Sequence, residues 1–79
     1  MAEEEFRQVL IDALNKYDSK KKEYGDSWKY MQPYRLRERL KEEYLEWYKT
    51  NKSKQEEYDE LLDIINCALM IAVRNRQGD

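Results

Sequence analysis

Glu57-Tyr58-Asp59-Glu60-Leu61-Leu62-Asp63-Ile64-Ile65-Asn66-Cys67-Ala68-Leu69-Met70-Ile71-Ala72-Val73-Arg74 is the stretch that decides the fold. It holds no Gly or Pro and is long enough for roughly five helical turns. After Leu61 it is apolar around almost its whole circumference, so as a helix it must be buried on most sides. Leu61, Ile65, Leu69 and Ala72 lie on one side; Ile64, Cys67 and Ile71 lie on the other. A single neighbouring hairpin plus one more helix does not readily cover both, which predicts a symmetric oligomer that buries this helix. Asp63 and Asn66 interrupt the apolar run. At about 100° per residue, Glu60, Asp63, Cys67, Met70 and Arg74 share a face. A carboxylate on a buried helix is costly unless it is paired, protonated or bound to a metal. What Glu60 and Asp63 face is therefore the functional question.

The rest of the chain narrows the answer. Its 79 residues allow one small domain spanning 1–79, with a core of marginal size that favours self-association. Charged residues make up 41% of the chain, yet the formal net charge is only -2, which leaves no electrostatic footprint for a nucleic-acid polymer or a membrane, while the clusters Lys20-Lys21-Lys22 and Arg35, Arg37 and Arg39 still allow a local anion site. One cysteine and no histidine exclude an intrachain disulfide, Cys/His zinc sites and histidine catalysis. Chemistry must run on carboxylates, Lys, Arg, Tyr or backbone. No apolar run is long enough for a membrane span, and the acidic first residues are unlike a signal peptide, so the expected location is cytoplasmic.

Upstream of the organising stretch, Ser53 with Glu56 forms a capping-box pattern that starts the last helix. Thr50 to Ser53 make a short polar connection. Before it, Pro33 to Lys49 reads as a helix with Pro33 in its first turn and an apolar stripe of Leu36, Leu40, Tyr44, Trp47 and Tyr48. Glu43 falls within that stripe, Glu46 at its edge and Arg39 beside both; Glu38, Lys41, Glu42 and Leu45 point away. At the start of the chain, Phe6, Val9, Leu10, Ala13, Leu14 and Tyr17 form one helical stripe, read as core packing, in a helix from about Ala2 to Lys16. Between these helices, Gly25 and Pro33 punctuate a loop with a short helical turn around Trp28 to Met31. Its rings either cover the small core, or Trp28 or Tyr24 stacks on a base or sugar while Lys22 or Lys29 meets a phosphate. The fold class is all-α: an antiparallel helical hairpin plus an N-terminal helix, assembled into an oligomeric bundle.

Glu43 and Glu46, and Glu60 and Asp63, are each three residues apart on a helix and so project from one side. If the buried faces of the two helices meet, four carboxylates converge. Such a set needs counter-charge. Either a hard divalent cation supplies it, Mg²⁺ or Mn²⁺ given oxygen ligands alone, or the groups form salt bridges with Arg39, Arg74 or a partner chain.

Glu42-Glu43-Tyr44-Leu45-Glu46 followed by Asp59-Glu60-Leu61-Leu62-Asp63 resembles the EExxE…ExxD pattern of the all-α nucleoside triphosphate pyrophosphatases, the MazG-like superfamily. Lys22-Glu23-Tyr24-Gly25-Asp26-Ser27-Trp28 is similar to the K-x-Y-G-x-S-W stretch of small phage-type relatives. The resemblance covers roughly residues 16 to 74. It implies Mg²⁺ held by Glu43, Glu46, Glu60 and Asp63, and cleavage of an NTP or dNTP to the monophosphate and pyrophosphate by a metal-activated water. The oligomer expected from the apolar last helix is a homodimer or tetramer. No motif fixes the basic residues for the triphosphate; Lys22, Arg39 and Arg74 are candidates by position. Asn66, one turn after Asp63, is placed either to orient a ligand or to bond across a subunit interface. The alternative expectation is a non-catalytic helical interaction module that keeps the fold.

Overall fold

The computed structural model describes residues 2–49 and 51–78, apart from the side chains of Glu23 and Tyr24. The expectation that Tyr24 walls a base site therefore lies outside the described residues. Three helices carry the fold: α1 (Ala2–Tyr24), α2 (Pro33–Lys49) and α3 (Lys54–Arg76), with a short 3₁₀ helix at Ser27–Tyr30 between the first two. No strand occurs among the described residues.

Local chemistry sets the boundaries. Glu3, Glu4 and Glu5 place negative charge at the positive end of α1. The helix ends at Tyr24, well beyond the Lys16 expected from the apolar stripe. Residues 17–22 contain no breaker, and the first one, Gly25, takes the left-handed conformation at φ 72° that closes helices. Its N–H donates to the Lys21 carbonyl at 2.9 Å. Pro33 opens α2, where a missing N–H costs nothing. Ser53 caps α3 as its sequence predicts: Glu56 N–H donates to Ser53 Oγ at 3.2 Å, and the Glu56 carboxylate accepts back from the cap, completing the box.

α3 is the central element. It packs most extensively on α2, less on α1, and also touches the 3₁₀ helix. The buried core is thin: Ala13, Trp28, Leu36, Leu62 and Cys67, with Asn66 as the buried polar residue among those described. The radius of gyration is 13.3 Å, against about 11.6 Å for a tightly packed domain of this length.

Two stripes read as core are only partly buried. In α1, Ala13 is fully covered and Val9 and Tyr17 half-covered, but Phe6 is 71% exposed and Leu10 and Leu14 are exposed too. The crossing explains this. Asn66 Nδ2 of α3 donates to the Ala13 carbonyl at 2.9 Å, which fixes the face α1 presents and turns Leu10 and Leu14 aside. In α2, Leu36 is buried and Leu40 and Trp47 half-buried, whereas Tyr44 and Tyr48 are exposed and Leu45, expected to point away, is half-buried. Tyr44 and Tyr48 stack on one another at 5.9 Å with 23° between planes, one turn apart. Stacking along the helix lets both rings shed some water while their hydroxyls stay solvated. On α3, Leu69, Ala72 and Val73 remain exposed within the single chain.

Candidate functional site

The three helices and the loop after α1 enclose a cleft. α1 contributes Tyr17, Lys20 and Lys21; the loop contributes Trp28; α2 contributes Arg39 and Glu43; α3 contributes Asp63, Asn66, Cys67 and Met70. Helical spacing assembles the acidic part. On α3, Asn66 and Cys67 lie three and four residues after Asp63, and Met70 lies three after Cys67; Arg39 and Glu43 are one turn apart on α2.

Glu43 and Asp63 face the same space from adjacent helices. Partial burial pushes the Glu43 carboxyl above its ordinary range, and the charges of Asp63 and Glu46 push it further; Lys20 and Arg39 pull the other way. Glu43 makes no salt bridge among the described residues. Asp63 is answered differently. Lys20 Nζ lies 2.9 Å and Lys16 Nζ 3.1 Å from the same Asp63 oxygen. Lys16 also donates to the Asp59 carbonyl at 2.8 Å. Glu60 is held by Lys52, whose side chain is only 6% exposed and which also donates to the Glu46 carbonyl at 2.8 Å.

Arg39, one of the salt-bridge partners expected from sequence, is a cleft residue with an electrostatic pull on Glu43. Arg74 is placed elsewhere: its guanidinium donates to the carbonyls of Trp28 at 3.0 Å and Met31 at 2.7 Å, tying the end of the 3₁₀ helix to α3. Lys22 is exposed on α1 and does not line the cleft; its neighbours Lys20 and Lys21 do. Trp28 is buried at the cleft wall. Its indole N–H donates to Tyr17 Oη at 2.9 Å, and the two rings meet edge to face with centroids 6.4 Å apart. Tyr17 in turn donates to Asp26 at 3.3 Å. Burial pushes Asp26 up, but Lys29, Lys21 and Tyr17 outweigh it and hold the carboxyl below its usual range. Trp28 is thus a fixed ring with its polar edge already used. Burial pushes the Cys67 thiol up, which suits packing and not nucleophilic attack.

Lys16 and Lys52 were not among the residues singled out by sequence, and Lys20 and Lys21 stood out only with Lys22, as a local basic cluster able to meet an anion. Lys16 and Lys20 did carry a signal: they stand one turn apart on α1, flanking Tyr17 at the end of its apolar stripe.

The donor chemistry fits a hard divalent cation: carboxylates on two adjacent helices, with like-charge repulsion felt at Glu43. As the side chains stand, no three metal-ligating groups among the described residues converge on one point. Asp63 and Glu60 would have to exchange their lysine partners for the ion.

Among the described residues, no helix is long and apolar enough to cross a membrane. The fold is all-helical, and comparison with protein-family models, curated proteins and solved structures finds no match for this chain.

Proposed function

We propose that the cleft is the active site of a Mg²⁺-dependent nucleoside triphosphate pyrophosphohydrolase that converts an NTP or dNTP and water to the monophosphate and pyrophosphate. The observation that carries this reading is Glu43, half-buried opposite Asp63, with its carboxyl raised by burial and by two neighbouring carboxylates. It is a site short of positive charge at one point, beside Lys20, Lys21 and Arg39. The EExxE…ExxD resemblance supplies the reaction class. Mg²⁺, or Mn²⁺, would be held by Glu43, Glu46, Glu60 and Asp63, and when bound would polarise a phosphate oxygen and make a water more acidic.

The chain's own groups do the rest. Arg39 and Lys21 bind phosphate oxygens, Arg39 with a planar fork suited to two of them. Tyr17 and Trp28 supply a rigid ring wall that keeps water from one side of the cleft. Cys67 and Met70 line its apolar floor. In the assembled form, α2 and α3 act as an antiparallel hairpin. Two copies associate through the exposed apolar residues Leu10, Leu14, Leu69 and Val73, the last three of which line a groove with almost no polar surface between α1 and α3. The expected location remains cytoplasmic.

A second reading, a non-catalytic interaction module, is favoured by one observation: Lys16, Lys20 and Lys52 already neutralise Asp63 and Glu60. Incubating the protein with a panel of NTPs and dNTPs plus Mg²⁺ and measuring pyrophosphate release separates the two. Release that stops on chelation of Mg²⁺ and in Glu43→Gln supports the hydrolase; no release from any nucleotide supports the module.

A further inference from the structure

Two ammonium groups, those of Lys16 and Lys20, meet on one Asp63 oxygen, and Lys20 also acts on Glu43. The two lysines are not equivalent. Lys16 is anchored twice on α3, through Asp63 and through the Asp59 carbonyl at 2.8 Å, and its side chain is 24% exposed. Lys20 bonds Asp63 at 2.9 Å, has no other hydrogen bond among the described residues, and is 44% exposed. Lys20 also lines the cleft beside Glu43 and Arg39. A long, solvent-reaching side chain held at one point is the one able to leave that point cheaply.

We propose that Lys20 is the exchangeable cation of this site: it neutralises Asp63 in the metal-free protein and turns to the polyphosphate oxygens of the substrate once a divalent cation takes Asp63. This rests on the hydrolase reading and adds a residue role that the motif resemblance does not supply. The electrostatics require an exchange of this kind. A dication bound at Asp63 repels both ammonium groups. Lys16 keeps the Asp59 carbonyl as a partner, whereas Lys20, whose other carboxylate neighbour Glu43 would also be on the metal, needs a new anion, and a metal-bound polyphosphate in the same cleft supplies one. Lys20 thereby competes with the metal and recruits the substrate, so one substitution should move the two affinities in opposite directions. A merely structural ion pair would move them together or not at all.

The test uses Lys20→Met, with Lys20→Gln measured alongside and circular dichroism to check helix content. Mn²⁺ binding is read from the loss of its free-ion spin resonance, and binding of inorganic pyrophosphate in saturating Mn²⁺ by titration calorimetry. Mn²⁺ should bind about 2- to 5-fold tighter to both variants, the equivalent of removing one partly exposed ion pair. Pyrophosphate should bind about 10-fold more weakly, the equivalent of one charge-assisted hydrogen bond. Lys16→Met should leave pyrophosphate affinity within about twofold of the parent. Unchanged affinities in the Lys20 variants, with normal Mn²⁺ binding by the parent, would overturn the role of Lys20 and leave the metal site standing. Absence of Mn²⁺ binding from parent and variants alike would overturn both.

Discussion

The two sides of α3 solve the problem of a thin core in opposite ways. On the cleft side, Asp63 and Glu60 are answered from within the chain by Lys16, Lys20 and Lys52. On the groove side, Leu69 and Val73 face Leu14 of α1, and all three remain exposed. Asn66 lies between, lines both spaces, and holds α1 to α3 through the Ala13 carbonyl. Charge is satisfied within one copy because a lysine can reach across a helix interface and keep part of its length in water. Apolar surface has no such recourse: it needs another body of matching shape. The proposed function accordingly puts a site on the cleft side and a contact on the groove side.

The largest effect should come from the groove. Leu14→Glu places a charge on the proposed dimer surface. Each copy forfeits about 2 kcal/mol of apolar burial, and because a two-fold interface uses the residue twice, the dimer should weaken roughly a thousandfold. Sedimentation should show the parent as a dimer or tetramer at micromolar concentration and Leu14→Glu as a monomer with unchanged helix content. A parent that sediments as a monomer would contradict the assignment of the groove.

Next comes the boundary between the sides. Asn66→Ala removes the donor to the Ala13 carbonyl and leaves space at a buried crossing. The expected loss is about 2 kcal/mol, or a melting temperature lower by about 10 °C. A change of less than about 2 °C would show that the crossing is held by something other than Asn66.

The smallest effect belongs to Glu43. Its carboxyl is raised in the fold, so the folded chain holds that proton more tightly than the unfolded chain does. The associated stability is present at low pH, below the ordinary value of 4.5, and is lost as pH rises through the higher folded value. Glu43→Gln should therefore raise metal-free stability at neutral pH, on the order of 0.5 kcal/mol for relief of partly solvated like charge. The gain should shrink as pH falls through the raised folded value and be gone below 4.5. Thermal melts of both proteins across pH 3 to 8, roughly the span over which carboxylates titrate, would show it. A destabilised Glu43→Gln at neutral pH would mean that the carboxylate is answered by a cation.

Much of the helical layout was legible because its signals are local. Pro33, Ser53 with Glu56, and the uninterrupted run from Glu57 to Arg74 each act within a turn or two of chain. Glu43 was legible as half-buried because its angular position within the α2 stripe needs no knowledge of a partner. The end of α1 was not, since the apolar stripe stops at Tyr17 while the backbone remains free to continue as far as Gly25. Nor was the exposure of Leu10 and Leu14: the same stripe suits a core or an open face, and the crossing at which Asn66 meets Ala13 is set from 53 residues away. The counter-charges of Asp63 were missed for a related reason. Arg39 and Arg74 lie close to the acidic residues in sequence, but contact is set in space, where α1 brings Lys16 and Lys20 onto Asp63.

Whether the cleft carboxylates take a divalent cation is tested most directly by thermal melts of the parent and Asp63→Asn with and without Mg²⁺. An ion that binds only the folded chain stabilises it by mass action, by about 2.7 kcal/mol at a hundredfold excess over its dissociation constant. The parent should therefore melt several degrees higher in Mg²⁺, roughly 10 °C at that excess. Asp63→Asn, which keeps the shape and removes a ligand charge, should lose most of that gain. Without metal it should differ from the parent by no more than about 1 kcal/mol, because the two lysines it releases are partly solvated. A parent whose melting temperature ignores Mg²⁺, together with an Asp63→Asn protein that is strongly destabilised, would contradict the metal site and leave Asp63 as the anchor of α1.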